Sequence, residues 1–119
     1  MKTVVITGGG GYIGGQTAIY FKEQGWTVTA IDRNPIYDHL EPYIDNYIHA
    51  DFAEPTGLSF LHSADVVVHC AGSSLVGPSI KDPSVYYENN FIATKRMLDY
   101  MVGNKLFPKI IFSSSAAVY

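Results

Sequence analysis

Several features are scarce in this 119-residue chain, and each scarcity excludes a class of protein. A single cysteine, Cys70, excludes a disulfide framework and fits a reducing compartment. Lysine and arginine form no cluster and the net charge is −3, so we expect no nucleic-acid partner. No apolar run is long enough for a signal peptide or a bilayer span, so we expect a cytoplasmic protein without a membrane partner.

The chain also lacks the patterns of a metal site and of several domains. Its histidines, His39, His49, His62 and His69, do not follow metal-ligand spacing and have no paired cysteines, so no metal is predicted. There is no internal repeat, low-complexity tract or linker, and 47% of the residues are apolar, enough for a core. We therefore expect one domain over residues 1–119.

A glycine-rich turn separates the first predicted strand from the first predicted helix. The apolar run at residues 4–6 is typical of a buried strand, and helical spacing runs from Ile13 to Gln24, with Gly25 where a C-cap is expected. Between them Gly8, Gly11 and Gly14 recur at three-residue spacing, and the run of four glycines also contains the standard G-x-G-x-x-G. Turn amides and the positive end of a helix dipole favour a pyrophosphate. No Lys-Ser/Thr follows, which excludes a P-loop.

A carboxylate follows the second predicted strand at the distance that dinucleotide binding requires. Residues 27–31 alternate in polarity and end in Asp32, near the offset at which an acid hydrogen-bonds the adenosine ribose. This carboxylate favours NAD over NADP, although the adjacent Arg33 could pair with a 2′-phosphate. The alternative is an ordinary loop carboxylate.

The remaining segments alternate strands with helices. A third strand at residues 47–50 ends in Asp51, which either reaches an adenine amino group or caps the helix that follows. Further on we predict a crossover helix at 55–62, a strand at 66–70, a helix at 84–101 closed by Gly103-Asn104, and a strand at 109–112. Alternation of this kind predicts right-handed crossovers and a doubly wound parallel α/β sheet, with five strands in the order 3-2-1-4-5.

Taken together, these residues resemble the extended short-chain dehydrogenase/reductase family, in its sugar-nucleotide epimerase and dehydratase branch, which includes the UDP-glucose 4-epimerases. The likeness spans essentially the whole chain. It is carried by Thr7-Gly8-x-x-Gly11-Tyr12-Ile13-Gly14, Asp32, Asp51-Phe52, His69-Cys70-Ala71-Gly72, Val76-Gly77-x-Ser79, Pro83-x-x-Tyr86-Tyr87-x-Asn89-Asn90 and Phe112-Ser113-Ser114-Ser115-Ala116-x-Val118-Tyr119.

The resemblance implies a Rossmann-type fold, NAD as cofactor and a UDP-sugar as substrate. It also implies roles for individual residues. By this resemblance, the pyrophosphate is bound by Gly8, Gly11, Tyr12, Ile13 and Gly14, and the adenosine ribose by Asp32. Asp51 and Phe52 flank the adenine, and the nicotinamide side is lined by Cys70, Ala71, Gly72, Asn89 and Ser113. Ser115 hydrogen-bonds the reacting sugar hydroxyl. The family's usual lysine after the Ala-Gly pair is Ser74 here.

The family's base, a tyrosine in Tyr-x-x-x-Lys, is expected downstream of Tyr119, where this sequence stops. The resemblance therefore implies an N-terminal part that binds NAD and has little activity alone. The alternatives are a subunit completed in trans by a second chain, an NAD-binding sensor or scaffold, and a fold whose site has decayed. We also expect an open apolar edge at the fifth strand, and self-association through that edge or through the 84–101 helix.

Overall fold

The computed structural model describes residues 2–70 and 83–112, the side chains of residues 83–91 excepted. Five strands form one sheet in the order β3-β2-β1-β4-β5, and every neighbouring pair is parallel. The predicted doubly wound fold and strand order are confirmed. The strands are β1 (Thr3–Thr7), β2 (Thr27–Asp32), β3 (Asn46–His49), β4 (Val66–His69) and β5 (Lys109–Phe112).

Helices connect successive strands, and two of them differ in length from the prediction. Helix α1 is Tyr12–Glu23, and a 3₁₀ helix at Asp38–Tyr43 occupies the connection from β2 to β3. The crossover predicted at 55–62 is a single α-helical turn, α2 (Pro55–Leu58), continued by a 3₁₀ helix. Helix α3 is Pro83–Gly103.

The core lies on both faces of the sheet because alternate residues of each central strand point to opposite sides. One apolar cluster joins the β-strands to α3, to α2 and to the 3₁₀ helix that follows α2. Its buried members are Val5, Ile31, Leu58, Leu61, Val67, Met97 and Met101. The other joins them to α1, with Val4, Ile6, Ala18, Val28, Val68 and Cys70 buried.

The two long helices end in the same backbone motif with different residues in its left-handed position. After α1, Gly25 has a φ of +87°, and the Trp26 and Gly25 amides donate to the Phe21 and Lys22 carbonyls. This is a Schellman motif, as the glycine predicted. After α3 the left-handed residue is Lys105, with a φ of 57°. Helix α3 ends at Gly103, as predicted from Gly103-Asn104, but the left-handed residue is Lys105 and not that glycine.

Strand β5 lies at the edge of the sheet and exposes apolar side chains. Among the strands of residues 2–70 and 83–112, it neighbours β4 alone. Ile111 is 45% exposed, Phe112 52%, and Phe107, in the connection before β5, 80%. The side chain of Ile110, in contrast, packs against the core cluster that includes α3.

No helix in the described part of the chain has the length and apolar character needed to cross a membrane.

Candidate functional site

The glycine turn connects the carboxyl end of β1 to the amino end of α1. Gly8 takes the left-handed conformation, with a φ of 72°, and its amide donates to the Ile31 carbonyl at 2.7 Å. The amide of Gly11 then donates to the Gly8 carbonyl at 3.1 Å. Because a side chain at position 8 would be strained in this conformation, glycine is required there. The turn brings the first residues of α1 to the end of the sheet.

Two glycines of the turn are required by the packing of the protein itself. A Cβ on Gly14 would lie 2.1 Å from the Gly8 carbonyl oxygen, which is backbone and cannot move aside. A Cβ on Gly9 would lie 2.4 Å from the Cβ of Ala30 in β2. These two positions therefore let α1 and β2 approach the turn closely.

Gly11 has a different environment, because protein packing does not require a glycine there. A Cβ at this position would meet only the Gly8 oxygen, at an ordinary 3.5 Å, and its backbone is extended, with a φ of −79°. Gly11 is exposed, and its missing side chain leaves the amino end of α1 accessible.

The amino end of α1 carries no negative charge and no side-chain cap. Gly11 is the N-cap residue, no side chain among the described residues caps the helix, and no acidic residue lies in its first turn. Tyr12 and Ile13 begin the helix and are 84% and 37% exposed. The partial positive charge of the helix dipole is therefore open to an external anion.

Asp32 lies at the carboxyl end of β2, beside the glycine turn. Its Oδ2 accepts the Gly10 amide at 2.9 Å, and its Oδ1 accepts the Asn34 amide at 2.8 Å. Two backbone donors thus hold the carboxylate, yet each oxygen keeps a further lone pair for a ligand. The predicted phosphate-binding turn and the predicted ribose-binding acid are in direct contact.

Two side chains of β3 that the sequence analysis did not assign to the site lie beside Asp32. The Tyr47 hydroxyl donates to the Asn34 carbonyl, and a ring nitrogen of His49 lies 2.8 Å from the Arg33 carbonyl. Their two-residue spacing on a strand next to β2 is the signal that was available, since it places both on one face.

Asp51 and Phe52 follow β3 and face different surroundings. Oδ1 of Asp51 accepts the Ala53 amide at 2.9 Å, while the N-cap of α2 is Glu54. Asp51 therefore caps the turn before α2, and the alternative that it caps that helix is wrong. The Phe52 ring packs edge-on against His69, with ring centroids 4.8 Å apart.

His69 connects β1, β4 and α3 at the end of the sheet. Its Nδ1 lies 2.6 Å from Oγ1 of Thr7, and its Nε2 lies 2.9 Å from Oγ1 of Thr94. Burial lowers the pKa of this imidazole from 6.5 to about 4, so the ring is neutral near pH 7. His69 is thus an interior, hydrogen-bonded histidine, as the apolar strand around it suggests.

Cys70 packs in the apolar cluster on the α1 side of the sheet, and only 6% of it is exposed. Burial raises the pKa of its thiol to about 11, so it is protonated at neutral pH. Its amide donates to Thr7, which ties β4 to the end of β1.

Several predicted site residues lie outside the described part of the chain: Ala71, Gly72, Ser113 and Ser115. Ser74, which replaces the family's usual lysine, lies outside it as well. The backbone of Asn89 belongs to α3, and its side chain is not described. Among the described residues, no group of three His, Cys, Asp or Glu side chains could hold a metal ion.

A parallel sheet with a glycine turn after β1 and a carboxylate after β2 defines the Rossmann-like class of α/β proteins. Within this class, residues 4–119 match the model of the NAD dependent epimerase/dehydratase family. The chain belongs to this family, and the predicted resemblance is confirmed.

Known proteins of this family are similar to the chain over nearly all of its length. It is 41% identical over 120 residues to UDP-glucose 4-epimerase of Halalkalibacterium halodurans, covering 98% of this chain and 35% of that protein. UDP-glucose 4-epimerase from Bifidobacterium longum, solved with NAD+ and UDP, superposes with a TM-score of 0.80 at 32% identity, covering 99% of this chain and 38% of that one.

A third relative was solved with a sugar nucleotide. UDP-glucose-4-epimerase from Stenotrophomonas maltophila, with bound NAD and formylated UDP-arabinopyranose, has a TM-score of 0.79 at 28% identity. The alignment covers 100% of this chain and 38% of that one. The chain thus spans somewhat more than a third of the length of these relatives.

Proposed function

We propose that this chain is the NAD-binding part of a nucleotide-sugar epimerase or dehydratase similar to UDP-glucose 4-epimerases. The observation that carries the proposal is the exposed Gly11 at an uncapped helix N-terminus, a position where the protein itself does not need a glycine. An open backbone there suits a ligand that approaches closely, and the helix dipole makes an anion the favoured ligand.

The residues around this opening suit a dinucleotide. The pyrophosphate would lie against Gly8, Gly11, Tyr12, Ile13 and Gly14, where the first turn of α1 contains no acidic residue. Asp32 would accept hydrogen bonds from the ribose hydroxyls, because its two oxygens are already fixed by backbone amides and keep free lone pairs. A bound NAD supplies a hydride acceptor and donor.

The other predicted contacts complete this proposal. Asp51 and Phe52 would flank the adenine, and the residues from Cys70 to Gly72, with Asn89 and Ser113, would line the nicotinamide side. For Cys70 the contact would come through the backbone, since its thiol is buried against α1.

A UDP-sugar is the proposed substrate of the whole protein. Two relatives with bound UDP or a UDP-sugar support this, and Ser115 would hydrogen-bond the reacting sugar hydroxyl. We further propose that residues 1–119 alone have little activity, because they contain no Tyr-x-x-x-Lys segment. General-base catalysis contributes roughly 10²- to 10⁴-fold. Completion of the site by a second chain is the alternative.

Isothermal titration calorimetry of this chain with NAD, NADP and UDP-glucose tests the proposal. We expect NAD to bind more tightly than NADP, and a Gly11→Ala variant to lose about tenfold or more in NAD affinity because its Cβ occupies the ligand's approach. Gly103→Ala is a matched control, since a Cβ there meets nothing within 4 Å and α3 ends at that residue.

Gly11→Ala must remain folded while it loses affinity, judged by an unchanged circular dichroism spectrum and a thermal midpoint lowered by only about 2–4 °C. Absence of NAD binding by the unaltered chain would contradict the proposal, and so would equal NAD affinity of the Gly11→Ala and unaltered chains. Binding of NAD without turnover of UDP-glucose would support the proposal that this part is inactive alone.

We also propose that the exposed apolar side chains of β5 lead to self-association of this chain. Ile111 and Phe112 lie on an edge strand, whose unpaired backbone groups can pair with another copy. Light scattering at several concentrations should show a dimer that an Ile111→Lys variant reduces. A monodisperse monomer for the unaltered chain would refute this.

A further inference from the structure

Two side chains of β3 hold the backbone of the loop that follows Asp32. The Tyr47 hydroxyl donates to the Asn34 carbonyl, and the His49 ring lies 2.8 Å from the Arg33 carbonyl through Nε2. Since a carbonyl only accepts, Nε2 carries the proton in this contact. Two successive peptide groups are thus fixed by two residues spaced by two on one strand. We call this set of contacts the β3 clamp.

The β3 clamp is connected to Asp32 through Asn34. Asn34, whose carbonyl accepts from Tyr47, also donates its amide to Oδ1 of Asp32 at 2.8 Å. The other oxygen, Oδ2, accepts the Gly10 amide at 2.9 Å. The carboxylate is therefore held between the turn and the loop, and the loop is held by Tyr47.

The Tyr47 hydroxyl also closes the space beside Gly10. A Cβ on Gly10 would lie 2.7 Å from this hydroxyl and 3.0 Å from Oδ2 of Asp32. Burial and the nearby negative charge of Asp32 raise the pKa of Tyr47 to about 12, so the hydroxyl remains a donor at neutral pH.

We propose that Tyr47 is a positioning residue that, with His49, sets the preference for NAD over NADP; this proposal rests on the proposed NAD-binding function. The clamp keeps the Asp32 carboxylate at the ribose position, where it repels a 2′-phosphate. It also fixes the peptide of Arg33, the cation nearest in sequence that could pair with such a phosphate. Loosening the loop lets the carboxylate withdraw and the guanidinium approach.

The test is a pair of calorimetric titrations, with NAD and with NADP, on the unaltered chain and on Tyr47→Phe. We expect the ratio of the NADP to the NAD dissociation constant to fall about fivefold, the effect of one lost hydrogen bond. His49→Phe, which keeps a ring but removes the donor, should lower the ratio in the same direction. Tyr20→Phe is the matched control, because it removes a hydroxyl from a 59% exposed tyrosine on α1.

A second readout separates positioning from a loss of stability. Amide hydrogen exchange of Asn34 should become faster in Tyr47→Phe, while exchange in β1 stays unchanged. In an Asp32→Asn background, Tyr47→Phe should change the NADP-to-NAD ratio less than it does in the unaltered chain, because the carboxylate that Tyr47 positions has lost its charge and only the effect on Arg33 remains.

If Tyr47→Phe weakens the binding of NAD and of NADP equally, the proposal is overturned, because general destabilisation of the site would have that effect. An unchanged ratio in that variant would overturn it as well. If the unaltered chain binds neither dinucleotide, the proposed function fails and this proposal fails with it, whereas NAD binding with an unchanged ratio removes this proposal alone.

Discussion

The Gly10 amide donates a hydrogen bond to Oδ2 of Asp32, although the two residues are 22 positions apart. One belongs to the turn after β1 and the other ends β2, the strand paired with β1 in parallel. The bond explains why a glycine turn and an acid at this separation act together. Any change that moves the carboxylate also removes the partner of a buried turn amide, so the two elements of the site cannot be altered independently.

Replacing Gly14 by alanine should destabilise the fold. The new Cβ would stand 2.1 Å from the Gly8 carbonyl oxygen, so α1 would have to shift away from the turn. We expect the free energy of unfolding to fall by about 1–3 kcal/mol in urea denaturation. Gly11→Ala should cost only about 0.5 kcal/mol. Equal losses in the two variants would show that the close approach at Gly14 is unimportant.

Replacing Lys105 by glycine should stabilise the protein. This lysine has a φ of 57°, a conformation that costs a residue with a Cβ about 1 kcal/mol. We expect Lys105→Gly to raise the free energy of unfolding by about 0.5–1 kcal/mol, measured by thermal and urea denaturation. Lys105→Ala keeps the Cβ and loses the charge, so it serves as the control and should bring no gain.

Acidification should destabilise the protein through His69. The folded pKa is about 4 against an ordinary 6.5, so between these values the unfolded chain binds a proton that the folded chain does not. The stabilisation that the neutral His69 gives the folded state is complete above pH 6.5 and is lost as the pH falls towards 4. The free energy of unfolding should fall by about 3 kcal/mol at most over this range.

A His69→Gln variant provides the comparison for this prediction. The variant should unfold more readily at pH 7.5, and its stability should change less than that of the unaltered chain between pH 7 and pH 5. The Asp45 carboxyl does not interfere in this range, because its hydrogen bond with Lys22 lowers its pKa from 3.8. Parallel stability curves for the two proteins would refute the assignment to His69.

Cys70 should react slowly with thiol reagents while the protein is folded. It is buried, and burial raises the pKa of its thiol to about 11, so little thiolate is present or accessible. Labelling with iodoacetamide at pH 8 should accelerate by orders of magnitude in denaturing urea. Equally fast labelling in both states would mean that the thiol is open to solvent.

The sequence was informative where one residue type suffices for one local structure. Gly25 predicted the end of α1 because glycine is the residue best suited to a left-handed position, and the apolar strand at residues 66–70 predicted a buried central strand. Lys105 could not be predicted in the same role. A lysine has no preference for that conformation, and it is imposed there by the hydrogen bond from Leu106 to Met101.

The candidate site was predictable in part for a similar reason. Gly8 and Asp32 belong to a motif with fixed spacing, so their proximity could be inferred before the structure was known. Tyr47 and His49 act through carbonyl groups of a loop whose course depends on the short 3₁₀ helix at Asp38–Tyr43. No pattern in the sequence specifies that course, and their contacts had to be observed.

The parallel order of the sheet also determines when its centre can be completed during synthesis. β1 can pair with β2 as soon as residue 32 has left the ribosome, but its other side pairs with β4, and Thr7 contacts His69 across 62 positions. Until then a nascent chain presents Val4, Val5 and Ile6 on a half-formed sheet. The first strand made thus stays open on one side until β4 has been synthesised, and during that interval its apolar residues can contact other chains.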